Sequence, residues 1–271
     1  MENTQIAFIG AGNMSNALML GLLRAGVASS HMMASNPSLP KLTALSPLGI
    51  HTTQDNAVAA RFGEVVVLAV KPQMMAQACQ VLSPLDFSQK LVISIAAGMP
   101  IARLKQLLPS ANAVVRAMPN TPALLQAGMT GLFANDACSA AQKALAQAIF
   151  DAVGRVCWLD KEDDINVVTA GAGSSPAYFF YVLEAMQTAL LQMGLDESHA
   201  RTLIEQAMAG AAKMVIENPQ LSLGELCAQV TSKGGTTAAA IAQFEKCGLA
   251  EIIAQGMQQA SARAREMEQQ L

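Results

Sequence analysis

A glycine-paired turn, Gly10-Ala11-Gly12-Asn13-Met14-Ser15, follows a short β-type run, Ile6–Gly10, and opens a helical pattern over Met14–Arg24. Gly10 permits a tight turn, and Gly12 lets backbone come close to a pyrophosphate. The start of the helix offers that anion free N–H groups and the positive end of a dipole. Ser15 occupies the third glycine position and is small enough for the helix to lie close on the strand. Strand, turn and helix in this order predict a dinucleotide-binding unit.

The rest of the first half alternates as such a unit requires. Runs at His31–Ser35, Gly49–Thr52, Val65–Val70, Leu91–Ala96, Ala113–Ala117, Met129–Ala134 and Arg155–Leu159 are separated by helical patterns such as Gln54–Arg61, Gln73–Leu82, Ile101–Leu108 and Ala137–Val153. That alternation predicts a parallel sheet with helices on both faces. After Lys161-Glu162-Asp163-Asp164 the β signal ends, and long helices follow, broken at Gly194, Asn218-Pro219 and Lys233-Gly234-Gly235. With 271 residues, two domains are expected. The expected architecture is α/β: a Rossmann-type dinucleotide-binding domain over 1–160, then an all-α dimerisation and substrate-binding domain over 161–271.

The later helices are apolar on more than one face, so a partner subunit is expected to cover them. Ile165–Leu183 carries no charge and is about as long as a membrane span. Its glycines, serines and Pro176, with no second span beside it, read instead as a helix buried in protein. A net charge of −3 with 17 scattered Lys and Arg gives no basic surface for nucleic acid. The five cysteines, Cys79, Cys138, Cys157, Cys227 and Cys247, form no metal-ligand spacing and read as small buried residues of a reducing compartment. Met1-Glu2-Asn3 has no signal-peptide character, so a cytoplasmic location is expected.

Further chemistry gathers where the β runs end. Ser35-Asn36-Pro37-Ser38 closes the second run without the carboxylate that would favour NAD. Its hydroxyls, amide and N–H groups suit a 2′-phosphate, though they also suit a plain Asn-Pro turn. Ala69-Val70-Lys71-Pro72 and Ile95-Ala96-Ala97-Gly98 lie at the same sheet edge; Pro72 also suits a helix start and Lys71 a surface lysine. Arg116-Ala117-Met118-Pro119-Asn120-Thr121-Pro122 is a stiff loop, either a structural turn or a mount presenting Asn120 to nicotinamide or substrate. In the helical half, Ser232-Lys233-Gly234-Gly235-Thr236-Thr237 is either a helix connection or a backbone nest for a carboxylate.

Together these strings resemble the pyrroline-5-carboxylate reductases over essentially the whole chain. The matching pieces are FIGAGNM from Phe8, AVKPQ from Ala69, SIAAG from Ser94, RAMPNTPAL from Arg116, GSSPAY from Gly173, GAAKM from Gly210 and VTSKGGTTAAAI from Val230. Lys233 departs from the proline usual before the two glycines. The resemblance implies reduction of 1-pyrroline-5-carboxylate to L-proline, the last step of proline biosynthesis, with NADPH and more weakly NADH. It also implies a homodimer or larger homo-oligomer through the C-terminal helices. Its implied cofactor contacts are Ile9, Gly10, Ala11, Gly12, Asn13, Met14, Ser35, Pro37, Asn56, Ala69, Val70, Lys71, Pro72, Ala96 and Ala97, with Asn120 added from its loop. The implied substrate contacts are Glu162, Gln229, Gly235, Thr236 and Thr237, the Thr237 hydroxyl meeting the ring nitrogen; no metal is required. Two rivals are a β-hydroxyacid dehydrogenase using Lys213 and a non-catalytic NADPH-binding protein.

Overall fold

The computed structural model describes residues 3–270. Eight strands form one sheet among these residues: β1 (Ile6–Ile9), β2 (Met32–Ser35), β3 (His51–Thr53), β4 (Val65–Leu68), β5 (Leu91–Ser94), β6 (Ala113–Met118), β7 (Gly128–Ala134) and β8 (Gly154–Trp158). Helices α1 (Asn13–Arg24), α2 (Leu39–Thr43), α3 (Asn56–Phe62), α4 (Met75–Gln80), α5 (Ile101–Leu107) and α6 (Ala140–Asp151) connect them. The strand order is β3-β2-β1-β4-β5-β6-β7-β8. The chain thus winds outward from β1 in one direction and from β4 in the other, leaving a crevice where the order reverses.

Because side chains alternate along a strand, β1 serves two cores. Ile6 and Phe8 join Leu18, Leu22 and Phe150 on one face, while Ala7 and Ile9 join Val66, Leu68, Met75 and Phe87 on the other. Both faces are dry, which explains the nearly unbroken apolar runs of β1 and β4. One strand departs from the expected parallel arrangement: β7 runs antiparallel to β6. Only residues 119–127 link the two, too short a stretch for a crossover helix, so the chain must turn back. The longer link through α6 restores parallel pairing between β7 and β8.

The later chain forms α7 (Asp164–Val168), a π-helical turn (Thr169–Gly173), α8 (Ser175–Gln192), α9 (Glu197–Glu217), α10 (Leu223–Gln229), α11 (Thr236–Lys246) and α12 (Leu249–Gln270). Residue 160 lies just beyond β8. By contacts, however, the sheet unit comprises Met1–Pro176 and Gln259–Leu271, and the helical unit Ala177–Gln258.

Two sequence expectations are corrected. The uncharged stretch from Ile165 is not one buried helix: the π turn divides it, and within α8 Phe179, Phe180, Tyr181 and Val182 are all at least half exposed. No helix among the described residues is long and apolar enough to cross a membrane. Of the cysteines only Cys79 and Cys138 are buried; Cys157, Cys227 and Cys247 are exposed, and all are free thiols.

Candidate active site

One row of paired residues crosses the sheet at its carboxyl edge. Ile9 pairs with Ser35 on one side and Leu68 on the other, Leu68 pairs with Ser94, and Ser94 with Arg116. The segments that follow this row leave the sheet together, so Gly10, Asn36, Ala69 and Ile95 lie along one edge. Gly10 N donates to Ser35 O at 2.9 Å, and Ala69 N to Ile9 O at 2.9 Å.

The two glycines of the first turn serve different purposes. Gly10 has φ +111°, and an added Cβ would sit 2.7 Å from Ala69 O, so the fold itself requires glycine there. At Gly12 an added Cβ would meet nothing within 4 Å. No packing among the described residues calls for its bareness. Gly12 is also the N-cap of α1 and supplies no side-chain cap, leaving the helix's first N–H groups to an anion.

At the end of β2 the structure modifies the expectation. The Ser35 hydroxyl is fully buried and donates to Asn56 Oδ1 at 2.8 Å, so it does not face an incoming phosphate. Asn56 is half-buried at the start of α3, and Asn36 Oδ1 accepts from Ser38 N at 2.9 Å, tightening the turn around exposed Pro37. No carboxylate stands in this turn. Lys71 is exposed and caps a 3₁₀ turn that opens with Pro72. Ala96 is buried and Ala97 half-buried.

Asn120 is engaged within the fold. Its side chain is 8 % exposed; Oδ1 accepts from Met129 N at 2.9 Å and Nδ2 donates to Ala172 O at 3.0 Å. The amide ties the start of β7 to the π-helical turn. Glu162 is similarly engaged: Oε1 accepts from Ile101 N at 2.7 Å and from Arg116 Nη1 at 3.2 Å.

Sequence reasoning missed Arg116. It is 1 % exposed, and its Nη2 also meets Glu268 Oε1 at 2.5 Å. The available signal was a lone cation inside an otherwise apolar β run, which is tolerated only when paired. Beside this cluster Arg265 donates to Asp163 at 2.9 Å, holding that carboxyl below its ordinary range.

In the helical unit Gly235 is the N-cap of α11, and no side chain caps that helix. Gly234 has φ +75°, and Gly235 N donates to Ser232 O at 3.0 Å, a turn that sets Thr236 and Thr237 as the first two helical residues. Thr237 is therefore not the cap. Gln229 ends α10 and is exposed.

Comparison with known proteins completes the picture. A family model described as pyrroline-5-carboxylate reductase dimerisation matches residues 162–267, and one described as NADP oxidoreductase coenzyme F420-dependent matches 5–98. The pyrroline-5-carboxylate reductase of Haemophilus influenzae is 50 % identical over 268 residues, 99 % of each chain. The chain belongs to the pyrroline-5-carboxylate reductase family. Among solved reductases, that of Coxiella burnetii is 41 % identical, with a TM-score of 0.91 over 98 % of both chains. The pyrroline carboxylate reductase of Plasmodium falciparum, solved with NADP bound, is 28 % identical, with a TM-score of 0.89 over 99 % of both. The family's dimerisation model covers α7 to α11 and most of α12 here, in keeping with a homo-oligomer built by the reductase's helical part.

Proposed function

We propose that the chain reduces 1-pyrroline-5-carboxylate to L-proline with NADPH, the last step of proline biosynthesis. The bare approach over Gly12 to the uncapped start of α1, at the reversal point of the sheet, carries this reading. Those N–H groups hold the pyrophosphate, and the small residues Ala69, Val70, Ala96 and Ala97 leave room for the rest of the dinucleotide. The turn after β2 has no acid to repel a 2′-phosphate, and Asn56, Asn36 and Ser38 offer donors to it, so NADPH is favoured over NADH. When bound, the cofactor supplies the hydride.

A cyclic imine protonated on nitrogen is already electrophilic at carbon, so the residues have chiefly to align it and hold its carboxylate. The free N–H groups of Thr236 and Thr237 at the start of α11, behind the turn that Gly235 closes onto Ser232, suit that carboxylate. The Thr237 hydroxyl accepts from the protonated ring nitrogen, and Gln229 is a further contact. Glu162 acts indirectly in this reading, since Arg116 and Ile101 engage it. The active form is a homodimer: α8 exposes Phe179, Phe180, Tyr181 and Val182, and a cavity of about 530 Å³ lined by Phe180, Tyr181 and Ile204 opens beside them. The free cysteines suit a compartment that keeps thiols reduced, the cytoplasm.

The test of the site is Thr237→Val. Gly235 caps α11, so valine removes no cap, and volume is kept. Single-turnover hydride transfer at saturating imine and NADPH is expected to fall about 10- to 1,000-fold, as for other lost transition-state hydrogen bonds. A wild-type rate in the mutant would sink the catalytic role of Thr237.

A further inference from the structure

The loop Ile95–Pro100, which leaves β5 toward α5, is held from outside the sheet. At its centre Gly98 has φ +68°, and an added Cβ would lie 2.8 Å from Met267 Cβ and 3.3 Å from Met267 backbone. The end of α12 thus rests directly on the loop, with no side chain of residue 98 between them. At the loop's far end Pro100 is the N-cap of α5 and supplies no side-chain cap; Glu162 Oε1 takes that part by accepting from Ile101 N at 2.7 Å. The same oxygen meets Arg116, and Arg116 in turn meets Glu268 at 2.5 Å, one residue beyond Met267. A second ion pair, Arg265 to Asp163, ties the same helix end to the residue after Glu162. Ala264 on this helix end is buried.

A buried ion cluster is weak evidence for stability, because well-packed apolar side chains of similar volume often serve as well. Its best-attested use is to fix registry. Here the elements kept in register are the last turn of α12 and the loop whose first residues, Ala96 and Ala97, line the proposed cofactor crevice. We propose that Glu268, with Met267, is a positioning residue for the dinucleotide site: through Arg116 and Glu162 it sets the Ala96–Gly98 loop for NADPH. The inference rests on the reading of that crevice as an NADPH site. It assigns the end of α12 to cofactor binding.

The experiment measures NADPH binding by fluorescence with the full-length chain and no imine present, so that it does not depend on turnover. Glu268→Ala is expected to raise the Kd for NADPH at least fivefold and Glu268→Asp to restore most of the affinity, while kcat at saturating NADPH changes less than KM. A Glu268→Ala protein with a lowered melting temperature but a Kd within twofold of wild type would show a merely structural role and overturn the inference. If Glu268→Ala proves insoluble, Glu268→Gln decides, since it keeps volume and removes only charge. A Kd raised at least threefold is then expected, and an unchanged Kd overturns the proposal. A wild-type chain that binds no NADPH overturns the cofactor reading together with this inference. A wild type that binds, matched by its variants, overturns this inference alone.

Discussion

At the scale of single residues, the bare positions were more legible than the polar ones. Gly10 could be read from spacing because backbone geometry alone requires a glycine there, with φ +111° and Ala69 O 2.7 Å from an added Cβ; over Gly12 the space is open. Ser35 and Asn120 could not, because sequence does not reveal which way a polar side chain turns. Both turn inward, one to Asn56 and the other to backbone at Met129 and Ala172. We therefore propose Asn56 rather than Ser35 as the residue that discriminates between the two nicotinamide cofactors. In Asn56→Asp the Ser35 hydroxyl still has a carboxylate oxygen to donate to, while the new charge opposes a 2′-phosphate. At roughly 1–3 kcal/mol for such a repulsion near the surface, the ratio of kcat/KM for NADPH over NADH is expected to fall about 5- to 150-fold. An unchanged ratio in steady-state kinetics would remove Asn56 from that role.

At the scale of elements, β6 and the two residues that follow it show how much one short stretch of chain can organise. Arg116 and Asn120 stand an even number of residues apart with Met118 between them. They reach Glu162 and Glu268, Ala172, and, through the Met118 methyl, the space above Gly173. The strand itself was readable from its apolar run. The partners were not, since they lie 46, 152 and 52 residues away in sequence. The antiparallel β7 was hidden for a simpler reason: its residues read as β in either direction, and only the shortness of the 119–127 link decides. Asn120→Ala would leave the part-buried N–H of Met129 without its partner, at about 1–3 kcal/mol, while Ala172 O keeps its bond from the Ser175 hydroxyl. The melting temperature is expected to drop by several degrees with the NADPH Kd nearly unchanged. A mutant of wild-type stability that had lost cofactor affinity would return Asn120 to the nicotinamide.

At the scale of the whole molecule, the apolar character of the later helices was plain in the sequence, and the exposed face of α8 is its counterpart in the structure. The end of the β pattern was legible near 160, but the division after Pro176 and the return of 259–271 to the sheet unit were not, because helical periodicity does not say what a helix end touches. An obligate homodimer through the helical part typically buries more than about 2,000 Å². Sedimentation is expected to give about twice the 28.3 kDa chain mass, and Phe180→Glu to shift it toward one chain with loss of activity. A stable, active single chain would contradict the dimer. The central claim, that the chain reduces 1-pyrroline-5-carboxylate with NADPH, is tested most directly by mixing the purified protein with 1-pyrroline-5-carboxylate and NADPH and following both absorbance and product. The expected result is imine-dependent NADPH oxidation with one L-proline formed per NADPH consumed. The contradicting result is a protein that binds NADPH tightly yet forms no proline from the imine.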